Sequence, residues 1–400
     1  MLENIFILIT ITYIISLTIG FIIEKYLRMP WIFSALFFGI AISAFGDFSQ
    51  TIRSEAIQML ATLGMLLILF LIGFNMNIIE IKKLKKQVIA STLLIIIFEG
   101  IMGSLLFYFG FPSLVNHSFL IAFITALSFA TVGEAILMPI LREFKIINTT
   151  FGQLILGIAT VDDIIELITI IGIGAILSSK HFITEMQALP SPFIGISALC
   201  ALIIISFILI RLKEKINAKL NQTFKNNDPM RYLIIITIFF IFISIGGVQE
   251  GLAPVAAILS GIVSKQLFPK NMVKNYSKII DFIGYLFLGP IFFLSIGAEV
   301  NISSILVAPL LIVFIGISAV GAKLLASLLV FRKLLGKKLS LLMGLGLSIR
   351  FSTSLVLQYL LFKNGLISLT LYSSLIGTAV LITPIIIYLY SFSLSHTRLT

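Results

Sequence analysis

Three carboxylates stand close together in the otherwise apolar stretch "ILGIATVDDIIELI", residues 155–168. On a helix, Asp162 and Glu166 are four residues apart and share one face, whereas Asp163 points about 100° around the axis. Adjacent carboxylates repel each other, and this repulsion favours proton uptake near neutral pH. Because the same oxygens can also hold a cation, the group has the minimum chemistry for exchanging a proton against a cation. A structural cluster of ion pairs is the simpler alternative.

Other ionisable side chains also interrupt apolar stretches, namely Glu99, Glu134, Lys323 and Arg350. A charge in the middle of a membrane span costs about 2.5–3.5 kcal/mol on insertion scales, so such residues usually face a partner or a cavity. Lys323 lies nine residues before Arg332, which is about 13 Å along a helix and too far for easy snorkelling to the surface. We therefore expect Lys323 to be buried and paired with Asp162. Glu134 is expected to neutralise a half-helix end or Arg350, and Glu99 to form a structural pair.

Two stretches are predicted to be discontinuous helices. In "SFATVGEAILMPIL" (128–141), Thr131, Gly133 and Pro139 interrupt the apolar pattern, and "MGLGLSIRFSTSLVL" (343–357) carries two glycines, four hydroxyl residues and Arg350. Broken helices of this kind leave backbone groups and half-helix ends free to line a site at the membrane midplane. Thr131 and Ser352 are hydroxyl residues at these two interruptions, and Ser352 is a candidate accessory residue. An ordinary kinked helix is the simpler alternative at both places.

Composition places the elements that carry these residues in a membrane. The chain has 400 residues, of which 59% are hydrophobic and 11% charged, and its mean hydropathy is +1.15. A soluble domain of this length needs far more polar surface, so the predicted class is an all-α polytopic membrane protein. At about 20 residues per span, about thirteen transmembrane helices are predicted. They lie near 4–23, 30–45, 56–78, 88–110, 117–141, 151–178, 191–210, 232–248, 252–267, 279–299, 305–331, 339–361 and 366–391.

The positive charges predict the orientation of these spans. With the N-terminus outside, 23 of the 28 Lys and Arg residues fall in inner loops, and only Arg53, Lys180 and Lys363 fall in outer ones. Basic residues concentrate in cytoplasmic loops, so the C-terminus is predicted to be cytoplasmic. This distribution also accounts for the net charge of +11, and no nucleic-acid partner is expected.

Two sequence echoes predict an inverted repeat. "LFLIGFNMNI" (69–78) resembles "FFLSIGAEVNI" (292–302), and "FAT" (129–131) resembles "FST" (351–353). Each echo connects spans seven apart, and an odd number of spans reverses the direction through the membrane. The expected organisation is a single transmembrane domain, 1–400, without a soluble regulatory domain. Its parts are a first repeat over 1–178, a linker helix and cytoplasmic loop over 179–231, and a second repeat over 232–391.

In combination, these motifs resemble the monovalent cation:proton antiporter superfamily, in particular its second branch of NapA-type Na⁺/H⁺ exchangers and Kef-type K⁺ exchangers. The resemblance covers nearly the whole chain, and it is the order and spacing of the motifs that make it specific. They are "LLILFLIGFNMNI", "ATVG", "LILGIATVDDIIELI", "PIFFLSIGAEVNI", "GAKLLA" and "GLSIRFS". The resemblance implies an antiporter fold of the NhaA/NapA-like type, with the fifth and twelfth spans crossing as broken helices. Spans four to six and eleven to thirteen would form a core that moves against a dimerisation domain.

The resemblance also implies roles for individual residues. Asp163 matches the aspartate that binds the cation or proton, and Asp162 matches the first acid of the pair in electrogenic members. Lys323 matches the lysine that pairs with that acid, and Thr131 matches the polar position of the unwound segment. The chain departs from the family where an Arg-Gly-Glu stretch reads Arg350, Phe351, Ser352, and where Glu166 replaces a small or apolar residue. Glu166 or Glu134 could supply the replacement charge.

The predicted function is a secondary active antiporter, not an enzyme. It would exchange Na⁺, or Li⁺, for protons in the plasma (inner) membrane of a prokaryote, electrogenically and as a homodimer. Asp162, Asp163 and Thr131 would hold the ion, Lys323 would couple it to protons, and no cofactor is expected beyond the transported ions.

Three other functions stay open at this stage. A K⁺/H⁺ exchanger of the Kef or germination type is the nearest, because oxygen ligands alone do not reveal the ion. A non-transporting sensor with the same fold is more remote. An intramembrane aspartyl protease needs two carboxylates on facing helices, whereas Asp162 and Asp163 are adjacent on one.

Overall fold

The computed structural model describes residues 2–27, 29–45, 48–75, 86–133, 136–137, 140–141, 144–146, 149–159, 161–162, 165, 169–170, 192–223, 228–248, 252–268, 276, 278–307, 309–350 and 352–396. Within these ranges the regular structure is helical and contains no β-strand. Three of the predicted site residues, Glu134, Asp163 and Glu166, lie outside the described residues.

Sixteen α-helices are described. Their bounds are α1 Leu2–Ile22, α2 Phe33–Phe45, α3 Ser49–Ile52, α4 Glu55–Asn75, α5 Lys86–Leu105, α6 Phe119–Phe129, α7 Thr150–Ala159, α8 Pro192–Arg211, α9 Lys213–Thr223, α10 Asp228–Gly246, α11 Ala253–Leu267, α12 Gly289–Ala298, α13 Ile302–Val307, α14 Pro309–Leu347, α15 Ser352–Lys363 and α16 Leu369–Ser395. Three π-helical stretches, Ile23–Leu27, Leu106–Gly110 and Phe282–Phe287, and a 3₁₀ turn at Pro112–Val115 complete the regular structure of the described ranges.

Seven helical segments of the described chain are long and apolar enough to cross a membrane, and five shorter apolar helices accompany them. The long segments are Glu3–Leu27, Glu55–Asn75, Val88–Gly110, Pro229–Gly246, Lys278–Ala298, Pro309–Leu347 and Leu369–Ser395. The chain is therefore a multi-pass membrane protein, as its composition predicts. Helices overlap all the predicted spans, but the number thirteen itself stays a prediction.

The chain divides into two compact units. One unit comprises 1–54, 78–169 and 293–400, and the other comprises 55–77 and 170–292. Asp162, Lys323 and Arg350 all belong to the first unit, so the candidate site can be described within that unit alone.

The longest helix, α14, contains the turn between the two predicted spans at 305–331 and 339–361. Gly336 has a φ of 76° inside it, a conformation that glycine adopts without a steric penalty. Beyond this turn, Gly344 lies against the backbone of Leu324 and the carbonyl of Lys323. This contact shows that the chain folds back on itself. α14 is thus two helical segments, and Lys323 lies on the first of them.

In the described part of each unit, two helices cross closely at a pair of glycines. In the second unit, Gly73 of α4 and Gly261 of α11 lie so close to the opposite backbone that a Cβ at either would overlap a carbonyl oxygen. In the first unit, Gly39 of α2 and Gly297 of α12 do the same. Small residues allow membrane helices this close approach.

These two crossings correspond to each other along the chain. Gly73 and Gly297 are the matching glycines of the first sequence echo, and Gly39 and Gly261 are separated by the same stretch of chain as the two members of the second echo. At each crossing, a side chain of one helix also donates a hydrogen bond to a backbone carbonyl near the end of the other helix. Lys265 Nζ donates to the carbonyl of Asn75 at 2.8 Å, and Ser43 Oγ donates to that of Val300 at 2.5 Å.

Candidate functional site

Two helix interruptions meet in the first unit. α6 begins at the N-cap Ser118, whose Oγ accepts the N–H of Ile121, and ends at Phe129. Residues 131–133 that follow are not helical, and neither are 349–350 after α14. The backbone N–H of Gly133 donates to the carbonyl of Ile349 at 2.6 Å. Backbone groups that helix ends leave without partners thus pair across the two breaks.

A side-chain hydrogen bond holds the same two segments together. Ser354 Oγ, in the first turn of α15, donates to the carbonyl of Ser128 at 2.9 Å, and Gln358 Nε2 in turn donates to Ser354 Oγ. All three side chains are buried. The breaks are therefore joined by both backbone and side-chain contacts.

Lys323 reaches both breaks from α14. Its side chain is 1% exposed, and Nζ donates to the carbonyl of Thr131 at 2.9 Å and to that of Leu347 at 2.6 Å. Both carbonyls lie at the interruptions, because Leu347 is the last residue of α14 and Thr131 follows the end of α6. Carbonyls at helix ends commonly need partners from outside the helix. The buried location agrees with the sequence expectation, and the snorkelling alternative does not describe this structure.

Asp162 binds the same peptide group as Lys323. Its buried Oδ2 accepts the N–H of Val132 at 2.6 Å, and that N–H and the carbonyl of Thr131 belong to one peptide unit. The lysine is near enough for its charge to act on Asp162. Lys323 and Asp162 thus bind the two ends of one peptide group at the break, and a direct pairing of their side chains stays a prediction.

The carboxylate that forms an ion pair with Lys323 within the described chain is that of Glu99, on α5. Glu99 Oε2 lies 3.7 Å from Lys323 Nζ, and Glu99 Oε1 lies 3.7 Å from a terminal nitrogen of Arg350. Glu99 is 0% exposed. One carboxylate therefore interacts with both positively charged side chains of the site.

Arg350 forms the second break itself. Its guanidinium stacks on the ring of Phe129, the last residue of α6, at 5.2 Å from the ring centre, a geometry that a cation–π interaction favours. It also lines a cavity of about 10 Å³ with Gly316, Thr378 and Thr383, which has room for about one water molecule. The ring and Glu99 together hold the guanidinium beside the breaks.

Several buried polar atoms of the site have no hydrogen-bond partner among the described residues. They are both carboxylate oxygens of Glu99, Oγ1 of Thr131, and Nε and one terminal nitrogen of Arg350. Buried polar atoms are normally satisfied, so such a group is a candidate for contact with an ion or water. The Thr131 hydroxyl fits the ligand role that the sequence predicts for it.

The structure brings together four predicted residues, Thr131, Asp162, Lys323 and Arg350. Ser352 begins α15 next to them. The sequence motifs predict only a structural pair for Glu99, although the repeat spacing contains a signal for this residue. Glu99 and Lys323 are separated by the same stretch of chain as Gly73 and Gly297 of the first echo, so the repeat relates the two positions.

Comparisons with known proteins show the family to which this chain is similar over nearly its whole length. A model of the sodium/hydrogen exchanger family, transmembrane, matches residues 5–390. A probable Na⁺/H⁺ antiporter 3 of Methanocaldococcus jannaschii is 27% identical over 387 residues, which are 94% of this chain and 95% of the relative. A Na⁺/H⁺ antiporter of Enterococcus hirae is 25% identical over 386 residues, 93% of this chain and 94% of the relative.

A solved structure shares the fold. The sodium proton antiporter MjNhaP1 of Methanocaldococcus jannaschii matches at a TM-score of 0.62 and 17% identity, over 98% of this chain and 96% of that one. At this identity the likeness concerns the fold alone.

Proposed function

The chain belongs to the transmembrane sodium/hydrogen exchanger family, and we propose that it exchanges Na⁺ for protons across the membrane by alternating access. It is a membrane transporter, as the family assignment indicates. The curated relatives named above are Na⁺/H⁺ antiporters by name, which supports Na⁺ as the cation. No cofactor takes part in the proposed exchange.

The observation that carries the proposal is the buried cluster at the two helix breaks. The peptide group between Thr131 and Val132 binds a lysine through its carbonyl and an aspartate through its N–H. Membrane-buried charges of this kind mark ion pathways. In the proposed mechanism Asp163 is the ion site, Asp162 is its acid neighbour and Thr131 is a ligand. A proton and a cation compete for the two aspartates.

Charge compensation would couple the two ions. A site that crosses the membrane with an unpaired charge pays a high desolvation penalty, so only the occupied site is expected to cross. Lys323 would be the counter-ion whose interactions change when a cation displaces a proton. If two protons enter for each Na⁺, one net charge moves inward, worth about 2.3 kcal/mol per 100 mV, and an inside-negative potential would drive Na⁺ extrusion.

We also propose an inverted repeat, with the broken fifth and twelfth spans crossing near the midplane. The equivalent glycine crossings and the hydrogen bonds between the two breaks support this arrangement. The thirteen spans, the repeat boundaries, the outer N-terminus and the cytoplasmic C-terminus belong to the same proposal, together with a prokaryotic plasma membrane and a homodimer.

Membership in the second branch of the superfamily is a finer proposal. It rests on the adjacent aspartates Asp162 and Asp163 and on Lys323, and electrogenic exchange is the property that would follow from them. Measuring whether a membrane potential alone drives Na⁺ uptake into proteoliposomes tests it, since electroneutral exchange would not respond.

The decisive experiment uses the purified full chain in proteoliposomes. A Na⁺ gradient is expected to move protons with the wild type and not with Asp163→Asn, because the amide cannot take up and release a proton. Full exchange by Asp163→Asn would overturn the site assignment. Repeating the assay with K⁺ across pH 6 to 9 would identify a K⁺/H⁺ exchanger if K⁺ proved the better substrate.

A further inference from the structure

We propose that Glu99 is a further positioning residue of the transport site, which offsets the charge of Arg350 and holds Lys323 beside the helix breaks. By doing so it leaves the two aspartates in control of the net charge that a transported ion must neutralise. This inference rests on the proposed function and adds to it a carboxylate that the sequence motifs did not assign to transport.

The packing of α5 places Glu99 deep in the first unit. Its neighbours Gly100 and Gly103 lie against Phe123, Ala126 and Phe129 of α6, where a Cβ would come within 2.7–2.9 Å of a side-chain atom. This close helix packing explains why the Glu99 side chain has no exposed surface. A carboxylate held in such a place without partners would be strongly destabilising, so its partners decide what it does.

Those partners are the two positively charged side chains of the site: Lys323 lies beside one carboxylate oxygen and Arg350 beside the other. Both distances are 3.7 Å, longer than a charge-assisted hydrogen bond of about 2.7–2.9 Å, and neither oxygen accepts a hydrogen bond within the described chain. The interaction is therefore one of charge rather than of fixed hydrogen-bond geometry. In a buried place such charge interactions are screened little.

This loose contact leaves Lys323 its hydrogen bonds to the breaks. The ammonium group donates to the carbonyls of Thr131 and Leu347, while Glu99 supplies negative charge from the α5 side. One bound cation leaves the two aspartates with a single negative charge, which together with that of Glu99 balances Lys323 and Arg350. Without Glu99, the same step would leave one of these two buried positive charges uncompensated.

The charges show what Glu99 changes. Among the described residues of the site, Glu99 and Asp162 balance Lys323 and Arg350. With the predicted ion site Asp163 ionised, the group carries one negative charge, which one bound cation neutralises. If Glu99 loses its charge, the group is already neutral before the cation binds, so Glu99 preserves the need for a cation.

The position of Glu99 in the chain supports a role at the centre of the site. Its separation from Lys323 along the chain equals that between Gly73 and Gly297, so under the proposed inverted repeat the two residues are equivalents that meet. Equivalent residues of an inverted repeat meet only near the symmetry axis, and substrate sites of such transporters lie at the repeat interface near the midplane.

The test compares Glu99→Gln with the wild type for Na⁺/H⁺ exchange in proteoliposomes across pH 6 to 9. The variant is expected to raise the apparent KM for Na⁺ on the order of tenfold, because one negative charge beside the site is lost. The pH profile is expected to move to lower pH, since the more positive surroundings weaken proton binding by the aspartates. Glu99→Asp, which keeps the charge, is expected to recover much of the wild-type KM.

The double variant Glu99→Gln/Arg350→Gln separates charge from packing. It removes one charge of each sign, so the apparent KM and the pH profile are expected to return towards wild type. Glu299→Gln is the matched control, because it makes the same change in the same unit but in a pair with Lys363, and it is expected to leave both readouts unchanged.

Two outcomes would overturn the inference. One is an unchanged KM and pH profile in Glu99→Gln, with at most a lower maximal rate. The other is a double variant that is impaired more than Glu99→Gln. If Glu99→Gln does not fold, as judged by size exclusion and thermal unfolding in detergent, Glu99→Asp and the double variant carry the test. The proposed function fails separately, through a wild type that does not exchange the ions or a fully active Asp163→Asn.

Discussion

Two glutamate–lysine pairs in the first unit differ in every physical respect. Lys323 and Glu99 are 1% and 0% exposed and lie 3.7 Å apart. Lys363 and Glu299 are 38% and 22% exposed and lie 2.6 Å apart, as a direct hydrogen bond. The same two residue types thus form a loose buried pair in one place and a tight, partly exposed pair in the other.

The two pairs differ in what they contribute to stability, and this difference indicates which of them has a role in function. Water solvates part of the Lys363–Glu299 pair, and exposed pairs of this kind contribute about 0–1 kcal/mol. The Lys323–Glu99 pair has lost its hydration, and its two charged groups lie 3.7 Å apart, beyond hydrogen-bond distance. Apolar side chains of similar size would often be at least as stable as such a buried pair. A costly arrangement of this kind points to a role in transport, whereas the Lys363–Glu299 pair needs no explanation beyond local structure.

The largest expected effect comes from removing each lysine in turn. Lys323→Met would leave Glu99 without one cation and two helix-end carbonyls without a donor, so we expect loss of exchange and a destabilisation of about 3–5 kcal/mol. Lys363→Met should lower the free energy of unfolding by about 1 kcal/mol or less and keep exchange. Thermal unfolding in detergent, together with proteoliposome flux, measures both. Similar losses at the two sites would erase the distinction between the pairs.

A charge-conserving replacement gives a smaller but more specific effect. Lys323→Arg keeps the charge but puts a planar guanidinium where a compact ammonium group donates to Thr131 and Leu347, and the two groups are not interchangeable in such geometry. We expect exchange to fall at least tenfold. Lys363→Arg should retain wild-type flux, because its partly exposed side chain can adjust. If both variants transported normally, charge alone would define the Lys323 site.

The smallest expected effect concerns the pH dependence of the stability that the Lys363–Glu299 pair contributes. Burial lowers the pKa of Lys363, but the hydrogen bonds and charges of Glu299 and Tyr359 together raise it more, and the net shift is upward. A raised lysine pKa adds stability that is fully present below the ordinary value of about 10.4 and is lost only as pH rises through the higher folded value. Glu299→Gln should therefore change unfolding by about 1 kcal/mol or less, equally at pH 6 and pH 9. A stability difference that varies between these two pH values would contradict this assignment.

Much of the site could be predicted from local sequence properties. Hydropathy is a sum over neighbouring residues, so it identifies the apolar helices and the charges that interrupt them. Glycine and hydroxyl residues mark the places where a helix is weak, and the structure interrupts α6 and α14 close to Thr131 and Arg350 as predicted. The burial of Lys323 followed from its distance to the nearest basic loop residue along a helix.

Tertiary structure alone decided which charges meet. Lys323 bridges the carbonyls of Thr131 and Leu347 and pairs with Glu99, which lies in the distant first part of the chain. Hydropathy does not report such contacts, and the repeat spacing relates Glu99 to Lys323 without showing that they meet. The free energy of a buried charge depends on atoms that only folding brings within a few ångströms. The sequence by itself determined a membrane protein with buried carboxylates, a buried lysine and two weak points in its helices. The packing of α5, α6 and α14 decided that Glu99 forms an ion pair with the lysine and that Asp162 binds the peptide group which the lysine also contacts.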